Sequence, residues 1–308
     1  MALRPVESMW YRSFLYNLTN TKTRYDEAIS QTTSGKKLNY LSDNPSDMSY
    51  VLTLRSKLGQ IDQFEKNINS AYGYLNTSES SLDQVQTLLY SVVSLAEQGA
   101  SEDNGADERN SIADRIDAIR DEILNFANTE IMGKYVFAGS ATDTVPFDRA
   151  VDTWDAVNQI WIPGVVTYQG NSDNIDVQAD FSVTVTTNIP GDQVFTGPID
   201  IFDDLSNLIV ALRNNDTPGI ANEISTMNEL INQMSENIST IGNRTAHLQQ
   251  IEGLLKNFKT SMQEKMSSLE DADMAEAISN LAREEVGLQA TLQSGSRIQR
   301  YSLMNYLG

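Results

Sequence analysis

Two long apolar stripes at helical spacing, one early and one late in the chain, constrain this sequence more than any other feature. The first runs through Val51, Leu54, Leu58, Ile61, Phe64, Ile68, Tyr72 and Leu75, then Leu82, Val85, Leu89, Val92 and Ala96. The second runs through Ile220, Ile224, Met227, Ile231, Met234, Ile238, Ile241, Leu248, Ile251, Leu255, Phe258, Met262, Met266 and Leu269. Steps of three and four hold each set on one helical face, and a near-heptad repeat of such length keeps that face against a partner helix. The stripes are similar in length and would pair naturally. The expected fold class is mainly α with a β insertion: a long antiparallel helical bundle or coiled coil formed by the N- and C-terminal regions, with a small β-rich domain in the middle.

Local signals sharpen the boundaries. Asn44 suits an N-cap, Pro45 the first helical position, and Asp47 the positive end of the helix dipole. That helix should end near Gly99, where SEDNGADE reads as a solvated turn, and a second should return through Ile112, Ile116, Ile119, Ile123, Phe126 and Ile131. Between Gly133 and Pro198 the period changes. Ile175, Val177, Ala179, Phe181, Val183 and Val185 alternate, which predicts one strand with a buried face. Four of the seven prolines fall in this stretch, as turns between short strands require. IDIFDDLSNLIVALRNND then predicts a short helix, and Thr217 with Pro218 the cap of the next.

The chain ends carry weaker stripes. Val6, Met9, Trp10, Phe14 and Leu18 form one that fades into polar sequence, and a final helix after SSLEDAD carries Met274, Ile278, Leu281, Leu288, Leu292, Ile298 and Leu303. A helix holds together in water mainly by burying a face, so such ends need a partner. Trp10, Phe14, Leu18, Met274, Ile278, Leu281, Leu288, Leu292, Ile298 and Leu303 are therefore the expected assembly interface. The expected division is 1–42 with 271–308 as a terminal coiled-coil assembly domain, 43–137 with 199–270 as a helical rod, and 138–198 as a β-rich, outward domain.

Composition excludes several functions. Acidic residues outnumber Lys and Arg 42 to 22, for a net charge of −20, so a polyanion would find few cations to replace its counterions; no nucleic-acid partner is expected. No apolar run reaches membrane-spanning length, so no membrane insertion is expected, and no cleavable signal pattern opens the chain. The absence of cysteine removes disulfides and thiolate chemistry. His247 is the single histidine, on a heptad helix, which excludes two-histidine zinc motifs. Phosphate-cradle and nucleophile-elbow motifs are missing, and Asp103, Asn104, Gly105, Asp107 and Glu108 lack calcium-loop spacing. The chain is thus expected not to be an enzyme and to need no cofactor, with no catalytic, cofactor-binding or metal residues. Methionines at heptad positions read as core filling. Trp154, Trp161 and Tyr168 could form a stacking surface, though core packing is the plainer expectation.

The paired ends and foreign middle resemble the flagellin superfamily. The segment from Ser34 to Ala100 looks like its amino-terminal helical region, and Asp271 to Gly308 like its terminal helix. GKYVFAGSATDTVPFD, from Gly133 to Asp148, is similar to a signature of its hook–filament junction branch. The resemblance covers about 1–148 and 200–308; MALRPVESMWYRS departs from the usual opening. It implies a structural protein of the bacterial flagellum, extracellular, exported through the flagellar type III export apparatus without a cleaved signal, with the help of an export chaperone. It implies as partners other copies of the chain in a ring, flagellin, and the hook-side junction protein. The alternatives are a flagellin or minor filament subunit, a cytoplasmic helical scaffold or signalling protein, and an enzyme or sugar binder using the β insertion.

Overall fold

A computed structural model describes residues 4–101, 103–155 and 160–307, with side chains over 9–101, 103–154 and 161–297. The helices are α1 (Arg4–Ser34), α2 (Pro45–Ala100), α3 (Ala106–Ala127), α4 (Gly191–Val194), α5 (Ile201–Arg213), α6 (Thr217–Glu270) and α7 (Met274–Leu307). Among the described residues between α3 and α4 lie eight short strands: β1 (Glu130–Ile131), β2 (Lys134–Tyr135), β3 (Phe147–Arg149), β4 (Thr153–Asp155), β5 (Ile160–Ile162), β6 (Val166–Tyr168), β7 (Asp176–Gln178) and β8 (Thr184–Thr186). The chain is mainly helical with a β insertion. It divides into two compact units, one built from residues up to Gln60 and from Asn257 onward, the other from Ile61–Lys256.

In the Ile61–Lys256 unit, α2 buries Ile61, Ile68, Leu75, Leu82 and Leu89, and α6 buries Met227, Met234, Ile241 and Leu248. The two run antiparallel, because Tyr72 Oη donates to Glu252 Oε2 at 3.2 Å while Gln86 Nε2, further along α2, donates to Ser235 Oγ at 2.7 Å. The carboxylate acceptor and partial burial push the Tyr72 phenol up to about 12, burial being the larger effect. Helix α3 packs on α5; Ile112, Ile116 and Ile123 are buried on the first and Leu205, Leu208 and Leu212 on the second. Arg109 closes the carboxyl end of α2: its Nε and Nη2 donate to the Gly99 and Ser101 carbonyls at 2.8 and 3.0 Å. Those carbonyls would otherwise be orphans of the helix end.

The insertion is four two-stranded antiparallel ribbons, β1–β2, β3–β6, β4–β5 and β7–β8. Two sequence expectations change here. Ile131 leaves the helix for β1, because Asn128 exchanges two 2.9 Å hydrogen bonds with the Phe147 backbone and Met132 and Gly133 both take positive φ in a two-residue turn. The alternating run from Ile175 to Val185 is a hairpin rather than one strand. The Ala179 and Asp180 N–H groups both donate to the Val183 carbonyl, which turns the chain between β7 and β8. Phe181, at that turn, meets Phe64 edge to face at 5.2 Å.

The GKYVFAGSATDTVPFD segment is the seam between helix and insertion. Phe137 and Phe147 enter a cluster with Phe195 and Phe202, at ring separations of 5.2 to 5.5 Å. Gly139, at φ +65°, brings the chain so close to Asn171 that a Cβ would stand 2.0 Å from its carbonyl oxygen. Tyr168 Oη donates to the Phe137 and Asn171 carbonyls and is pushed up to about 12 by burial and by Asp192.

In the other unit, α1 and α7 pair antiparallel. Arg24 meets Glu284 at 3.3 Å, Thr21 lies over Gly287, and the Phe14 ring covers Gly295, where a Cβ would come within 2.2 Å of it. Leu38, Met48 and Val51 form a small core with Met266 and Leu269. Asn44 caps α2, its Oδ1 accepting from the Asp47 N–H at 3.2 Å. On α6 the cap is Asp216, which accepts from the Gly219 N–H at 3.1 Å, and not Thr217, which is already helical.

Candidate assembly surface

Helix pairing sorts the expected interface residues into two sets. Phe14, Leu18, Leu281 and Leu288 are half-buried and line the α1–α7 seam, together with Thr21, Ala28 and Ala277. Small residues recur along that seam, so the helices approach closely but bury little apolar area. Trp10, Met274, Ile278 and Leu292 stay outside it, with Trp10, Ile278 and Leu292 exposed by 64%, 55% and 51%. The side chains of Ile298 and Leu303 lie outside the described residues. Met9, Tyr16 and Val286 are equally exposed and were not among the expected interface residues: Met9 lies on the amino-terminal stripe but was not carried into the interface, and Tyr16 and Val286 fall off the repeats that were followed. Large exposed apolar side chains thus stand along both terminal helices, the kind of surface on which docking sites are built.

The β insertion holds Trp154 and Trp161 opposite one another across β4–β5, with rings 6.3 Å apart and Arg213 over Trp161 at 5.5 Å. Trp154 is 56% exposed, so it is not the core residue expected. Tyr168 stands elsewhere, 5.0 Å from Phe147. No three-aromatic platform forms. His247 is exposed on α6. Among the described residues no group of three His, Asp or Glu side chains could hold a metal ion, and no helix is long and apolar enough to cross a membrane.

Two charged clusters lie within the Ile61–Lys256 unit. Arg120 is wholly buried; it donates to Ser206 and reaches Asp152 at 3.5 Å and Asp117 at 3.6 Å. Arg149 binds the same Asp152 at 2.8 Å and Asp117 at 3.0 Å. Burial works against the Asp152 anion, but the Gly164 N–H and the two arginines outweigh it and hold the carboxyl below its usual range. On α5, burial first, then neighbouring Asp200 and Asp203, pushes the Asp204 carboxyl up to about 6. Its Oδ2 and the Glu223 Oε2 are buried without hydrogen-bond partners.

The fold disfavours the Asp204 anion, so its contribution to stability is present below the ordinary carboxylate range and is lost as pH rises through about 6. Asp204→Asn should raise the melting temperature at pH 7.5 by about 2–4 °C, from roughly 1 kcal/mol once solvent screening is allowed for. It should also flatten the dependence between pH 5 and 7. Calorimetry of both proteins at the two pH values checks this, and a lower melting temperature for the variant at pH 7.5 would disprove it.

A chain whose ends pair as helices around a β insertion, and whose most distinctive surface is apolar, defines a class of assembly subunits. Family models for the bacterial flagellin N-terminal helical region and C-terminal helical region match residues 8–142 and 224–307. The chain belongs to the flagellin family. It is 24% identical to flagellar hook-associated protein 3 of Salmonella typhimurium, over 98% of this chain and 98% of that one. A flagellin of Clostridium tyrobutyricum is also 24% identical, but over 57% of this chain and 43% of its own. The fold is shared with a candidate flagellar hook-associated protein of Vibrio parahaemolyticus, at a TM-score of 0.64 and 20% identity over 74% of this chain and all of that one.

Proposed function

We propose that this chain is a structural subunit of the bacterial flagellum that polymerises through its terminal helices into the junction between hook and filament. The observation carrying this is the extent of likeness. A hook-associated protein 3 matches from end to end, β insertion included, whereas the flagellin matches over little more than half of the chain. In this reading the flagellar location follows from the family, and the chain works by binding and not by catalysis.

The residues divide by role as 1–42 with 271–308 for assembly, 43–137 with 199–270 for the helical rod, and 138–198 for the outward β-rich part. Trp10, Met274, Ile278 and Leu292, exposed in the single subunit, become covered by neighbouring copies, by flagellin and by the hook-side junction protein. Burial of that face supplies the core that α1 and α7 lack by themselves, so ordering is coupled to assembly. Passage through the type III export apparatus, with an export chaperone and no cleaved signal, completes the proposal and suits a chain without disulfides to break.

The test is a deletion strain examined by electron microscopy. It should build hooks, lack filaments and lose flagellin to the medium, and the complementing protein should be found in purified flagella with its amino terminus intact. Normal filaments in the deletion strain would instead make this chain a minor filament subunit.

A further inference from the structure

The segments 35–37 and 270–272, where α1 ends and α7 begins, are tied to one another. The Lys37 N–H donates to the Glu270 carbonyl at 2.7 Å, the Ala272 N–H donates to the Gly35 carbonyl at 2.9 Å, and Lys36 and Asp271 pair as an antiparallel bridge. Lys37 Nζ adds a bond to the Ser268 carbonyl at 2.8 Å. At the centre the Glu270 side chain, only 3% exposed, is ion-paired with both Lys36 Nζ and Arg55 Nη2. Gly35, at φ +69°, ends α1, and Asp273 caps α7 by accepting from the Ala275 N–H at 2.9 Å. One carboxylate thereby joins the end of α1, the first turns of α2, the end of α6 and the approach to α7.

We propose that Glu270, with Lys36 and Arg55, is a positioning group for assembly: a clasp that stops fraying of the terminal helices and fixes where they emerge as a pair. The proposal rests on the assembly role given above. A seam of small residues holds α1 and α7 weakly, so opening should begin at their free ends and run inward. A buried carboxylate held by two cations resists that opening, because parting the segments breaks the Lys36–Glu270 pair together with the backbone bonds of the bridge. Neighbouring copies then meet a terminal pair that is mobile along its length but pinned at its root.

Amide exchange of the soluble full chain tests the clasp, with Lys37 and Ala272 as reporters. Both should exchange slowly in the parent. Lys36→Met with Arg55→Met strands the carboxylate and should speed both amides on the order of a hundredfold. Adding Glu270→Gln removes the stranded charge and should restore most of the protection, a rescue that loss of side-chain bulk cannot produce. In cells the double variant should be missing from purified flagella and the triple should return. Fast exchange in the parent, a triple variant no slower than the double, or normal incorporation of the double would each overturn the proposal. Normal filaments in the deletion strain would overturn the junction role instead and leave the exchange result standing.

Discussion

A chain carrying Ile278→Asp and Leu292→Asp should melt like the parent as a free subunit and yet be absent from purified flagella. Both side chains are more than half exposed on α7, so a carboxylate at either place stays in water and costs the subunit almost nothing. In the assembly each residue would be covered. Burying such a side chain from full exposure contributes roughly 1.5–3 kcal/mol and about half of that remains to be gained at each, so the two amount to a loss of at least about tenfold in affinity at every copy, before desolvation of the new charges is added. Leu281→Asp is the useful contrast. Leu281 is half-buried on the seam with α1, so that variant should loosen the terminal pair within the subunit as well as weaken assembly. Melting and incorporation are measured together. Normal incorporation of the double variant would remove this face of α7 from the assembly surface.

Arg120→Ala should lower the melting temperature of the Ile61–Lys256 unit by about 10 °C. The side chain is wholly buried, and its removal leaves Ser206 without a donor and Asp152 and Asp117 with Arg149 as their one remaining cation. Breaking a buried ion pair by deleting one partner costs about 3–5 kcal/mol, and in a unit of this size each kcal/mol shifts the midpoint by about 2–4 °C. Arg120→Lys should recover little, because a point charge cannot serve Ser206 and Asp152 at once as the guanidinium fork does. A melting temperature within about 2 °C of the parent for Arg120→Ala would show that the cluster reorganises around Arg149.

The long helices were legible because their signals are local and repeated. The apolar steps from Val51 to Ala96 and from Ile220 to Leu269 could satisfy one geometry alone, and Asn44 with Pro45 marked the start of α2 to the residue. Single-residue caps were harder. Asp216 and Thr217 are both good N-caps by type, and the choice fell to Asp216 only because its carboxylate reaches the Gly219 N–H. Strand alternation was the least dependable signal. A hairpin with a five-residue turn preserves the parity of its buried positions, so Ile175 to Val185 reads as one strand although Val183 bends it in two. Ile131 kept the helical spacing of α3 and was lost to β1 by hydrogen bonds that Asn128 makes with a residue nineteen positions away.

The candidate surface divides along the same line. That Trp10, Ile278 and Leu292 are apolar and helical is a property of the sequence, as are the lack of cysteine, the acidic balance and the absence of catalytic motifs. Whether a given apolar residue faces α1 or the solvent was not readable, since Leu281 and Leu292 look alike in a stripe and only the register of α1 against α7 separates them. Arg120, Glu270 and Asp204 were not singled out at all, because a charged residue in a polar stretch carries no mark of burial. Periodicity and caps act over a few residues and are written in order along the chain. Burial, ion pairing and a displaced carboxyl depend on groups brought together from far apart, and those existed only once α2 and α6 had folded back and the terminal helices had met.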